Sequence, residues 1–188
     1  MLEVITINKN EKEVNEIQWK DLLIDAYNNT YKNNDFNIEI TGKTNLDDFW
    51  TNLDSDVVHV VLRQNKFIGF FIRQINEINK EISFKIFVYS RACPMSLRSL
   101  TKCALISCLL VYLENQNTID KFEFVTWHPS LISVVKNFLT LKTHFITSNY
   151  IIGYSSLKEE NPATLDLLIK KYLEDTTNIN YDKFRVIN

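Results

Sequence analysis

Residues 82–113, ISFKIFVYSRACPMSLRSLTKCALISCLLVYL, constrain the fold more than any other stretch of the chain. A β-rich run ends in a short loop carrying Arg91 and Arg98 and leads into a helix, expected over 97–116. The second half of that helix is apolar nearly all round. A helix of this kind buries several faces at once, so it must pack between a sheet and other elements rather than lie on a surface. A strand feeding a helix N-terminus also brings free backbone N–H groups and the helix dipole to one point, the usual place to hold a phosphate. Yet the loop has no glycine, and Pro94 removes one N–H donor from it.

The rest of the chain fits a single α/β domain. Its 188 residues, 45% of them hydrophobic, suffice for a full core. A net charge of −2 without a dense basic run argues against a nucleic-acid partner. No apolar run reads as a bilayer span, so no membrane association is expected. MLEVITINKNEKEV is unlike a signal peptide. Cys93, Cys103 and Cys108 are odd in number and two of them fall in one helix, as for reduced thiols of an intracellular, cytoplasmic protein.

Periodicity sets the element order. LEVITIN (2–8) alternates as an opening strand. Residues 11–31 place Val14, Ile17, Leu22, Ala26 and Tyr27 on one helical face, with Asn10 as N-cap. Residues 32–45 form a loop, and 46–53 a short helix capped by Asn45, with Phe49 and Trp50 inward. VVHVVLR (57–63) and FIGFFIRQI (67–75), joined by Gln64-Asn65-Lys66, predict a hairpin. A turn at 76–80 leads to a third antiparallel strand, 82–90. KFEFVTW (121–127) is entered from a helix and is expected to run parallel to its neighbour. Pro129 opens a helix over 130–142. HFITSNYIIGYSSL (144–157) is one strand, or two broken at Ser148-Asn149, and a last helix follows Pro162.

Candidate chemistry clusters around the strand–loop–helix. Arg91 and Arg98 could pair with phosphate, and Ser96 or Ser99 could donate hydroxyl bonds. The alternative is that Ser96 caps the helix and both arginines are solvated. His128 stands at the carboxyl end of strand 121–127, where α/β proteins place their sites, and its titration range suits acid–base work. Glu81 opens strand 82–90, and Tyr150 could act as a general acid at a cleft. Cys93 lies beside the helix N-terminus, where a thiol's pKa can fall, but no local base accompanies it. Cys103 and Cys108 read as core. No histidine pair or C-x-x-C has metal-ligand spacing, so no metal is expected.

From about residue 2 to 157 the element order resembles the GCN5-related N-acetyltransferase (GNAT) superfamily. Its members carry an R/Q-x-x-G-x-G/A loop after a central strand. Here one register reads Arg91-Ala92-Cys93-Pro94-Met95-Ser96, with proline and serine in place of both glycines, and a register shifted by two puts Ser96 and Arg98 there. His128 falls near the family's asparagine position, and Phe138 stands where a tyrosine acid is expected. The resemblance implies a three-layer domain (1–157) with a mixed, mostly antiparallel sheet flanked by helices, and a helix and tail (158–188) packed on it. It implies acyl-CoA or acetyl-CoA as cofactor and an amine acceptor. Val88 and Ser90 would bind the pantetheine arm, and Arg91, Ser96, Arg98 and Ser99 would surround the phosphates. TWHPSLISVVKNFLTLKTHF (126–145) is further similar to a segment of GNAT-like proteins of T7-like bacteriophages. That likeness implies a second expectation: a retained fold with acyl transfer weakened or lost, acting through a protein partner, in the virion if phage-encoded.

Overall fold

The computed structural model describes residues 2–8, 19–32, 46–53, 55–89, 94–115, 118–126, 143–146, 151–156 and 179–180. In chain order these form β1 (Leu2–Asn8), α1 (Lys20–Lys32), α2 (Leu46–Asn52), β2 (Val57–Arg63), β3 (Lys66–Asn76), β4 (Glu81–Val88), α3 (Pro94–Glu114), β5 (Lys121–Thr126), β6 (Thr143–Ile146), β7 (Ile151–Ser156) and β8 (Ile179–Asn180). The strand order is β6-β7-β5-β4-β3-β2-β1-β8. β5 runs parallel to β4 as expected, and β8 runs parallel to β1. β1 with β2, β2 with β3, β5 with β7 and β6 with β7 are antiparallel. The sheet is thus mixed and mostly antiparallel. The expected helices over 130–142 and after Pro162, and the proposed cap Asn10, lie outside the described residues.

Two compact units are distinguished. The first comprises Met1–Ile72, Ile86–Leu100 and Ile179–Asn188, so it takes in part of the tail that the sequence set apart at 158. Within it β2 is buried at five successive positions, and the simple in–out alternation disappears because both faces are covered. One face carries Val58, Val60 and Leu62 into a core with Leu23, Tyr27, Phe49, Phe70 and Phe87. Phe70 stacks on Phe87 with ring centroids 4.5 Å apart and meets Phe49 edge-on at 5.8 Å. The opposite face carries Val61 and His59. His59 stacks on Phe71 at 4.7 Å, and its Nδ1 lies 3.1 Å from Thr6 Oγ1.

The β2–β3 turn is shorter than the sequence reading had it. Arg63 pairs with Lys66, leaving only Gln64 and Asn65 in the turn, both at positive φ (51° and 61°). Two left-handed residues match the right-handed twist of the flanking strands. Past the turn, Val61 pairs with Gly69 and Leu62 with Phe67, so Ile68 is the extra residue of a bulge. Gly69 follows it at φ 151°. A Cβ there would sit 2.3 Å from the Phe87 carbonyl oxygen and 2.8 Å from Leu100 Cδ1. Only glycine lets the strand come this close to β4 and to the first turns of α3.

The second unit comprises Arg73–Lys85 and Thr101–Asn178. Its β4–β5 ladder begins at Glu81 opposite Lys121 and runs to Phe84 opposite Phe124. The Asp120 N–H donates to the Lys80 carbonyl over 2.8 Å, tying the start of β5 to the turn before β4. β6 and β7 are two strands, in line with a break near Ser148-Asn149. Helix α3 starts earlier than expected, at Pro94. Its segment Met95–Tyr112 is long and apolar enough to cross a membrane by length and composition, contrary to the sequence reading, but 65% of it is buried inside the fold. That burial is the mark of a core helix.

Candidate functional site

The junction of β4 with α3 holds most of the residues singled out from sequence. Pro94 occupies the first helical position, where a missing N–H is tolerated because that group has no partner inside the helix. Ser96 is therefore not the cap. It lies in the first turn and is 2% exposed, facing inward like Leu100 one turn on. Met95, 62% exposed, and the exposed Arg98 share the outward face with Ser99. The Ser99 hydroxyl donates back to the Met95 carbonyl over 3.2 Å, a local bond that leaves its oxygen able to accept. Of this group, Arg98 carries the exposed cationic side chain. Ser90, Arg91 and Cys93 lie outside the described residues.

Val88 ends β4, and both of its backbone polar groups are taken. Its N–H donates to Thr30 Oγ1 over 3.1 Å, and its carbonyl accepts from Asn29 Nδ2 over 3.0 Å. The next residue faces the other way, with the Tyr89 N–H donating to the Ile68 carbonyl of β3 over 3.2 Å. Sequence reasoning missed Asn29 and Thr30, although a signal was present. Leu23, Ala26 and Tyr27 set an inward helical stripe, and Thr30 continues it as a buried polar residue, 4% exposed.

Glu81, considered above for acid–base work, is paired with a cation. Its Oε2 lies 2.8 Å from Lys121 Nζ, and it is largely buried at the start of an eight-residue strand. Val88 is the last residue of the same strand. The pair fastens the first rung of the parallel ladder. His128 and Tyr150 lie outside the described residues, as does Phe138.

Arg73, also missed from sequence, enters α3 and donates to the Ser107 hydroxyl over 2.6 Å and to its carbonyl over 3.1 Å. Burial holds its guanidinium below the ordinary arginine value, while Cys108 and Glu114 act in the opposite sense. Cys103 and Cys108 are buried as expected, and burial pushes both thiols up to about 12 from the ordinary 9.0. At pH 8 a thiol reagent should therefore label at most Cys93 in the native protein, and all three thiols once it is unfolded. Rapid native labelling of Cys103 or Cys108, read by peptide mapping, would contradict the structure. Because the folded thiols stay protonated where unfolded ones ionise, both cysteines also make stability fall as pH rises from 9.0 towards 12. Among the described residues no group of three or more His, Cys, Asp and Glu is arranged to hold a metal ion.

No protein-family model matches the sequence, and no curated protein does. Solved structures do match. The structure of yncA from Salmonella typhimurium with its cofactor acetyl-CoA aligns at a TM-score of 0.56 and 8% identity, over 84% of this chain and 95% of that one. Spermidine N-acetyltransferase from Vibrio cholerae in complex with CoA and spermine aligns at a TM-score of 0.50 and 12% identity, over 83% and 96%. The chain has the GNAT fold. At these identities the likeness speaks for the architecture, and the GNAT topology accounts for the long central β4 running into α3.

Proposed function

We infer that this chain is a divergent GNAT-fold acyltransferase that moves an acyl group, acetyl in the simplest case, from acyl-CoA to an amine. The observation that carries the reading is the fold itself, shared with structures that hold acetyl-CoA or CoA and spermine. In this reading the amine nitrogen attacks the thioester carbonyl, the C–S bond breaks, the CoA thiolate leaves, and the ammonium proton passes to a base. Orientation and desolvation supply most of the rate. Arg98, exposed on the first turns of α3, and Arg91 before it would pair with the phosphates, and Ser99 would add a hydrogen bond. His128 and Tyr150 remain the proton carriers of this proposal. Glu81, bound to Lys121, takes no part in it.

A second reading has its own support. The glycine-free loop and the engaged backbone of Val88 favour a GNAT-fold protein that no longer transfers acyl groups and works by binding another protein, as in a phage-encoded assembly role. A thermal shift with acetyl-CoA and CoA separates the two. Ligand at about 100 times its dissociation constant should stabilise the fold by about 2.7 kcal/mol. For a chain of this size that is roughly 5–10 °C. Arg91→Ala and Arg98→Ala should each shrink the shift. No shift at millimolar CoA moves the conclusion to the second reading, for which purification from the native source should yield a stoichiometric partner.

A further inference from the structure

We propose that Asn29 and Thr30 form a clasp on the C-terminal end of β4, which an extended, amide-bearing ligand must open in order to bind. The inference rests on the acyl-CoA reading above for the identity of that ligand. Tyr89 directs its N–H to β3, so by strand alternation Val88 directs both its N–H and its carbonyl to the opposite edge. Among the described residues the β4–β5 ladder ends at Phe84 opposite Phe124, short of Val88, and backbone groups beyond a ladder can take a strand-like ligand through main-chain hydrogen bonds. Here the two groups are already matched. The Asn29 amide supplies a donor to the carbonyl at 3.0 Å, and the Thr30 hydroxyl oxygen an acceptor to the N–H at 3.1 Å.

Together the two side chains reproduce the donor–acceptor pair that one residue of an antiparallel neighbouring strand would present, its N–H and C=O belonging to two successive amides. They come from adjacent residues of one helix, so a modest movement at the end of α1 would withdraw both. Pantetheine is an extended arm with amide groups and fits the same pair of backbone atoms. Ligand and clasp therefore compete, and the closed clasp lowers apparent affinity by the fraction of molecules in which it is open.

The test is calorimetric titration of CoA into the full chain and into Asn29→Ala, Thr30→Val and Thr30→Ser, with amide hydrogen exchange at Val88 followed in each. Asn29→Ala and Thr30→Val should bind CoA about tenfold more tightly than the parent, a clasp open about a tenth of the time. Thr30→Ser keeps the hydroxyl and should bind like the parent. The Val88 amide should be protected in the parent, exchange faster in Thr30→Val, and regain protection when CoA is added. Equal or weaker CoA binding by both Asn29→Ala and Thr30→Val overturns the clasp and leaves the acyl-CoA reading standing. Absence of CoA binding in the parent and in all variants overturns both. Circular dichroism of each unliganded variant identifies any that fails to fold, and Asn29→Ala, at a half-buried position, then carries the comparison.

Discussion

Gly69→Ala should destabilise the fold by about 4 kcal/mol, lowering the melting temperature by roughly 10 °C. Two physical terms combine. At φ 151° the backbone lies in a region that L side chains rarely adopt, at a cost of about 1–3 kcal/mol. The new Cβ would also stand 2.3 Å from the Phe87 carbonyl oxygen, which is backbone in the neighbouring strand and cannot swing away. Forcing β3 from β4 costs a further 1–3 kcal/mol, roughly. Asn65→Gly provides the control, because Asn65 has a positive φ (61°) in an open turn, and it should change stability by less than about 1 kcal/mol. Urea denaturation of the two variants measures the contrast. A loss below about 1 kcal/mol for Gly69→Ala would show that the close approach of β3 to β4 is wrong.

Phe70→Ala should cost about 4–5 kcal/mol. Phe70 is fully buried between Phe87, stacked at 4.5 Å, and Phe49, edge-on at 5.8 Å. Removing the ring leaves a cavity in a core that β2, α1 and α2 close from several sides, so collapse to fill it is limited. A double-mutant cycle with Phe87→Leu should assign roughly 0.5–1.5 kcal/mol to the stacked pair alone. Ile75→Ala, at a position 49% exposed, should stay within about 0.5 kcal/mol of the parent. A Phe70→Ala loss no larger than that of Ile75→Ala would refute the aromatic core as drawn.

These two residues show how far local pattern reaches. The strand around Gly69 and Phe70 was legible in FIGFFIRQI, because β-branched and aromatic residues bounded by turn residues identify a strand within a short window. The consequences of Gly69 were not, since they depend on Phe87 and Leu100, which only the folded chain brings near. The site divides in the same manner. The sequence reading kept Pro94 in the loop, began the helix at 97 and offered Ser96 as one possible cap, whereas Pro94 opens α3 and Ser96 lies inside its first turn and is buried.

The opening stretch, 82–113, by itself determined that a central strand runs into a long buried helix, and with the neighbouring runs it determined an α/β chain with a mixed sheet. It also placed Cys103 and Cys108 in the core. Hydrophobic period, proline position and turn chemistry act over a few residues, so they can be read in one dimension. The tertiary structure decided which polar groups meet. It took Glu81 to Lys121, and it took Val88 to Asn29 and Thr30, residues 59 and 58 positions away in the chain. The β4–β5 ladder chooses the first of these partners and the packing of α1 against the end of β4 the other two, and no short window of sequence encodes either.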